Sequence, residues 1–181
     1  MIRFSERLLR LWRDESGVAT IEFLFALPVL LVIFMASFES GLMMTRSIML
    51  EQSLDMVMRE LRLGHYTAPD ADLLKTEICK RTIVFNNCSA SLRIDLQKVS
   101  TTTWAMPTKA TNCMNNNAAI QTPSTFPSDV RGSNDLILVR ACIVVDAMFP
   151  LTGLGLKLTR TTADGGGYEI VAVSAFANEP T

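Results

Sequence analysis

The chain has 181 residues, of which 49% are hydrophobic and only 19% are charged. Its 17 basic and 18 acidic residues leave a net charge of −1. A disordered chain combines low hydrophobicity with high net charge, so this composition excludes that class. It also argues against nucleic acid as a partner, because no basic excess exists to neutralise phosphates. The hydrophobic excess is local, since residues 23–38 contain no charged side chain.

The first predicted element is a segment long enough to cross a bilayer, from Val18 to about Met44. About 20 apolar residues at 1.5 Å rise each cover the hydrocarbon core of roughly 30 Å. The arginines that precede this segment are Arg3, Arg7, Arg10 and Arg13. The positive-inside bias therefore predicts a cytoplasmic N-terminus and places residues 65–181 on the far side of the membrane.

Two acids mark this segment. Glu22 lies inside it, where a carboxylate costs about 2.5–3.5 kcal/mol on insertion scales and normally has a partner and a function. The simpler alternative is that Glu22 reaches the cytoplasmic headgroups. Glu39 lies near the far end, and we expect it to reach the headgroups on that side.

Three interpretations of the N-terminus stay open: an uncleaved anchor, a signal peptide cut near Ala36, and a pilin-type leader. The apolar run is longer than the roughly 7–15 residues of a signal peptide and contains Glu22. Gly17, followed by an apolar run with Glu22 and Phe23 in its fifth and sixth positions, is similar to the class III signal of type IV pilin-like proteins. Cleavage after Gly17 would create an ammonium on Val18, which Glu22 could neutralise in a low dielectric.

Longer motifs strengthen the third interpretation. The run Glu22–Leu31, EFLFALPVLL, resembles the E-F-A-L-x-x-P-x-L-L pattern of the TadE-like family. Residues 38–41, FESG, are similar to that family's E-F-G motif, with Ser40 in place of the usual aromatic residue. Residues 176–180, FANEP, are similar to its closing F-R-N-E-P, with Ala177 in place of arginine. The resemblance implies a minor pilin or pseudopilin of the tight-adherence (Flp/Tad) pilus.

The resemblance also implies partners and a location. A prepilin peptidase would cleave after Gly17, and the mature chain would contact other pilin-like subunits and the assembly platform of the inner (cytoplasmic) membrane. The predicted divisions are a basic cytoplasmic leader (1–17), a transmembrane helix (18–44), a helix extension (45–64) and an extracytoplasmic α+β domain (65–181). The alternative function is an uncleaved, single-span, membrane-anchored periplasmic binding module.

Apolar residues continue at helical spacing beyond Met44, so one helix is predicted from about Ala19 to Leu63, with Gly64 ending it. About 45 residues at 1.5 Å each make it about 68 Å long. Its first half would lie in lipid, and its second half would pack on the outer domain. Pro28 is predicted to kink the membrane half because it removes one backbone hydrogen bond.

The outer domain is predicted to be α+β, with a small antiparallel sheet packed on the long helix in a pilin-like arrangement. Its predicted elements are, in chain order, a short helix at Pro69–Ile78, a strand at Ser91–Val99, a long irregular loop at 100–134, a central strand at Leu136–Asp146, and a hairpin of Lys157–Thr162 with Tyr168–Ala177 around Asp164–Gly167.

The four cysteines are Cys79, Cys88, Cys113 and Cys142. An even number in an extracytoplasmic domain favours disulfides, for which three pairings are possible. We favour Cys79–Cys88, which closes a short connection, and Cys113–Cys142, which ties the long loop to the central strand. A metal site is disfavoured because no C-x-x-C occurs.

No catalytic motif is evident. His65 is the only histidine, and its position after Gly64 predicts an exposed residue beside the helix end. A Ser-His-Asp or Cys-His arrangement would have to use it. The sequence contains neither G-x-S-x-G nor a P-loop. We therefore expect a non-enzymatic protein without a cofactor or metal.

Overall fold

The computed structural model describes residues 18–66, 69–105, 113, 136–150, 153–158 and 167–177. Within them the elements are helix α1 (Val18–Arg62), helix α2 (Ala71–Arg81), helix α3 (Cys88–Ser91), strand β1 (Arg93–Val99), strand β2 (Leu136–Val145), helix α4 (Gly153–Leu158) and strand β3 (Tyr168–Ala177). The long helix and the small sheet confirm the predicted α+β class.

Helix α1 is continuous over 45 residues, within a residue of the predicted bounds. Gly64 ends it because its φ of +75° is a left-handed conformation that glycine adopts without strain. The amides of Gly64 and His65 bond back to the carbonyls of Leu61 and Glu60, at 3.1 Å each. His65 follows this cap and is exposed, as predicted.

The sheet is antiparallel in the order β1-β2-β3, which confirms the central place of β2. Val139 of β2 lies opposite Leu96 of β1 on one side and Ser174 of β3 on the other. Apolar residues alternate along the strands, so one face of the sheet is apolar except at Lys98 and Ser174 near one end.

That face packs against the C-terminal half of α1. Leu50, Leu54, Val57 and Leu61 repeat at intervals of three and four residues, and all are at most 4% exposed. The sheet residues in the same core are Ile94, Leu96, Ile137, Val139, Ala141, Ile143, Tyr168, Ile170 and Ala172. Burial of these side chains holds the domain against the helix.

Helix α2 covers one end of this core. Asp70 caps its first turn, since its carboxylate accepts a hydrogen bond from the Leu73 amide at 2.7 Å. Leu74 and Ile78 are fully buried, one turn apart on a common face. The helix begins two residues later and ends three residues later than predicted.

The hairpin prediction was wrong at the start of its first strand, Lys157–Thr162. Lys157 and Leu158 belong to helix α4, and β3 pairs directly with β2. The leucines at alternate positions suit either a strand or a short helix, and packing of α4 against α1 decides the outcome. The rest of that strand, the turn Asp164–Gly166 and most of the 100–134 loop lie outside the described residues.

Candidate membrane and assembly interface

The N-terminal half of α1 is an apolar surface without protein cover. Every residue from 19 to 34 is exposed within the described chain, including Phe25 at 76% and Phe34 at 68%. Soluble proteins rarely expose so large a continuous apolar surface. By length and composition this helix can cross a membrane. It is therefore a candidate membrane anchor.

Glu22 and Phe23 lie on this bare half. The Glu22 carboxylate makes no hydrogen bond or ion pair with another described residue. Val18 begins the helix four residues earlier, so its backbone nitrogen lies on the same helix face as Glu22. Gly17 and the leader lie outside the described residues, so cleavage after Gly17 stays a prediction.

Helix α1 continues through Pro28. Proline has no amide hydrogen, so the Leu24 carbonyl four residues earlier loses its usual donor. In a membrane helix, neighbouring helices or local adjustment satisfy such a carbonyl. The predicted kink at Pro28 stays a prediction.

Glu39 differs from the expectation that it reaches the headgroups. It is 1% exposed, and its carboxylate accepts hydrogen bonds from the backbone amides of Met148 and Phe149. The shortest distances from the carboxylate oxygens are 3.0 Å to Met148 N and 3.1 Å to Phe149 N. The amides of Met148 and Phe149 reach the same carboxylate because the turn that contains them folds back onto the helix. Glu39 therefore holds the chain segment after β2 against α1.

Arg46 holds the same segment from the other side. Two helical turns after Glu39, its guanidinium donates to the Asp146 carbonyl at 3.3 Å and to the Tyr168 hydroxyl at 2.7 Å. Glu39 and Arg46 thus bind amide donors and a carbonyl acceptor of one turn. We call residues 39 and 46 the junction pair, because they join the helix to the domain where the bare surface ends.

An ionic cluster joins the far end of α1 to α2. Arg81 lies 2.8 Å from both carboxylate oxygens of Glu60, and the Tyr66 hydroxyl donates to Glu60 at 2.6 Å. This hydrogen bond from Tyr66, with the charge of Arg81, holds the pKa of Glu60 below its usual value. Burial, followed by the bond to Glu60, raises the pKa of Tyr66 to about 12.

The cysteines form Cys79–Cys88 and Cys113–Cys142, the two pairs that the sequence analysis favoured. The second bond holds Cys113 against the face of the sheet away from α1, beside Val144. Glu169 lies close to this pair. Sulfur atoms in a disulfide are not thiolates, so these three residues do not offer a zinc-type donor set.

A cleft of about 130 Å³ lies beside Arg46 of the junction pair. Its lining includes Arg46 and Asp146, and it contains no histidine or cysteine among the described residues. Arg46 already binds Tyr168 and the Asp146 backbone. A nucleophile with an adjacent base, the usual requirement for covalent catalysis, is not present in the lining of this cleft.

The long helix with its bare apolar half and the small sheet define an α+β protein, with one candidate membrane anchor among the described residues. Residues 17–59 match the family model of TadE-like proteins. The match confirms the resemblance to that family over this segment. It begins at the predicted cleavage residue and ends within the buried half of α1. No curated protein and no solved structure matches the chain.

Sequence reasoning missed the role of the junction pair. The signal was weak: a single acid, Glu39, closes a charge-free run, and a single base, Arg46, follows seven residues later. That spacing does not predict Met148 or Asp146 as partners, because those contacts join residues 100 or more positions apart in the chain.

Proposed function

We propose that the chain is a non-enzymatic minor pilin or pseudopilin that acts in the biogenesis of a tight-adherence pilus. A prepilin peptidase cleaves it after Gly17. Residues 18–44 cross the inner membrane once, with a cytoplasmic N-terminus and an extracytoplasmic domain. Its partners are that peptidase, other pilin-like subunits and the assembly platform.

The observation that carries this proposal is the division of α1 into two halves. One half is bare and apolar, whereas the other is the centre of the domain core. A bare apolar helix needs a cover, and lipid or the helices of neighbouring subunits provide the same chemistry. A subunit built this way can leave the bilayer and enter a helical bundle without rearranging its domain.

Glu22 supports the proposal that the bare helix finally packs in an assembly of subunits. After cleavage, the new ammonium on Val18 and the Glu22 carboxylate carry opposite charges at the same end of the helix. In low dielectric an isolated charge of either sign is costly, and a pair is much less so. The ammonium can belong to the same subunit or to its neighbour, and pairing between neighbours sets their axial register.

Orientation is supported by two independent features. Four arginines precede the bare helix, and arginine is enriched on the cytoplasmic side of membrane spans. Both disulfides lie in the domain after the helix, and disulfides persist outside the reducing cytoplasm.

The test is the N-terminal sequence and intact mass of the membrane-extracted protein, made with and without its host's prepilin peptidase. We expect a mature chain that starts at Val18 only when the peptidase is present. Gly17→Arg should abolish this processing while membrane insertion continues. Retention of Met1 or Ile2 in both samples would favour the uncleaved binding module instead, and a start near Ser37 would indicate an ordinary secreted domain.

A further inference from the structure

A second apolar element lies beside the bare half of α1. We define the collar as residues Met148–Pro150 together with helix α4. A Cβ placed on Gly153, the first residue of α4, would lie 3.6 Å from Val32 Cγ1 and 3.7 Å from Ala36 Cβ. The Phe149 ring meets the Phe38 ring edge to face, with centroids 6.2 Å apart. The collar therefore runs back along the helix, away from the sheet.

Position along α1 gives the depth of the collar. Charges at Arg13, Asp14 and Glu15 keep the hydrocarbon core from beginning earlier than about residue 16. Twenty residues of helix, about 30 Å, then end near residues 36–38. Val32 lies seven residues before Glu39, about 10 Å along the axis at 1.5 Å per residue. The contact between Gly153 and Val32 thus falls inside the apolar layer.

The collar has the surface chemistry of an interfacial element. Met148 is 55% exposed, Pro150 is exposed, and Phe38 beside them is 47% exposed. Among the described collar residues, only Lys157 is charged, and its exposed amine can reach headgroups while its stem lies on apolar surface. Interfacial helices bury an apolar face about 5–10 Å into the boundary between headgroups and acyl chains, which matches this depth.

We propose that the collar inserts into the leaflet on the domain side, so that the chain holds the membrane by one span and one interfacial loop. This rests on the proposed membrane span of α1. Lipid is the occupant because the collar continues the bare apolar surface of the helix at the same level. The junction pair supports the collar, since Glu39 and Arg46 fix its first turn to the helix. Assembly then requires extraction of the collar together with the helix.

The experiment measures tryptophan fluorescence of the full chain in phosphatidylglycerol–phosphatidylethanolamine vesicles with brominated acyl chains. The chain has two tryptophans, so Trp12→Phe with Trp104→Phe gives a silent background. Leu154→Trp, next to Gly153 on α4, reports on the collar. Phe34→Trp reports on the span, and Ile83→Trp, at a residue 86% exposed in the domain, is the control outside lipid.

We expect Leu154→Trp to lose emission on bromination and to emit at shorter wavelength, as Phe34→Trp does, while Ile83→Trp is unchanged. Met148→Trp, at an exposed site, gives the same readout if Leu154→Trp fails to form its disulfides. Quenching at Phe34→Trp with none at either collar site overturns the collar proposal and leaves the span intact. No quenching at Phe34→Trp overturns the proposed membrane span, and the collar with it.

Discussion

Removal of the Glu39 carboxylate tests whether the junction pair holds the segment after β2. In Glu39→Ala the backbone amides of Met148 and Phe149 lose their common acceptor. A buried donor without a partner costs about 1–3 kcal/mol. We take the lower limit of this range for each amide, about 2 kcal/mol for both amides together.

Amide hydrogen exchange of the full chain in detergent micelles measures this loss locally. Since 1.4 kcal/mol is tenfold, 2 kcal/mol corresponds to about 30-fold faster exchange at Met148 and Phe149. Glu51→Ala is the matched control, because Glu51 is exposed on the same helix. Exchange at the two amides equal to that in Glu51→Ala would refute the role of Glu39. An equal rise throughout β2 would show that the substitution unfolds the domain rather than the turn.

Three further predictions concern pH and glycine. Because its pKa is lowered in the folded chain, Glu60 adds stability above its unfolded pKa, ordinarily 4.5, and this stability is lost as pH falls through the lower folded value. In Glu60→Gln, the urea concentration at the unfolding midpoint should therefore fall less steeply at acid pH than in the unsubstituted chain. The Tyr66 contribution is intact below its ordinary pKa of 10.0 and is lost as pH rises through about 12, so Tyr66→Phe should remove that alkaline loss. Gly167→Ala should lower Tm more than Gly64→Ala. Both glycines have φ of +75°, but a Cβ on Gly167 would lie 2.5 Å from the Val145 carbonyl oxygen, whereas a Cβ on Gly64 would have no heavy atom of a described residue within 4 Å. Equal Tm values would contradict the close approach.

The long helix was predictable because its signals are local. Apolar spacing sets its face, the charge-free run sets its bare half, and Gly64 sets its end, each within a few residues of chain. Strand β2 was predictable as the central strand because a strand covered on both edges and both faces is apolar for most of its length.

Helix α4 and the junction pair were not predictable for the opposite reason. Alternating leucines over six residues suit a strand or a helix equally, and contact with α1 more than 100 residues earlier selects the helix. The burial of Glu39 likewise depends on Met148 and Phe149, which approach it only when the sheet has already packed on the helix.

The two acids within residues 18–44 of α1, Glu22 and Glu39, now have different physical situations, although the sequence presents them alike. Glu39 is satisfied within its own chain, by backbone amides that cost no second charge to bring into an apolar layer. Glu22 has no hydrogen-bond partner among the described residues and faces the surface that must be covered. A carboxylate already bound in its own subunit contributes little to assembly, whereas one left without a partner in lipid favours any neighbour that supplies a positive charge. Under the proposed function, Glu39 therefore fixes the domain to the helix, and Glu22 is left for the contact between subunits.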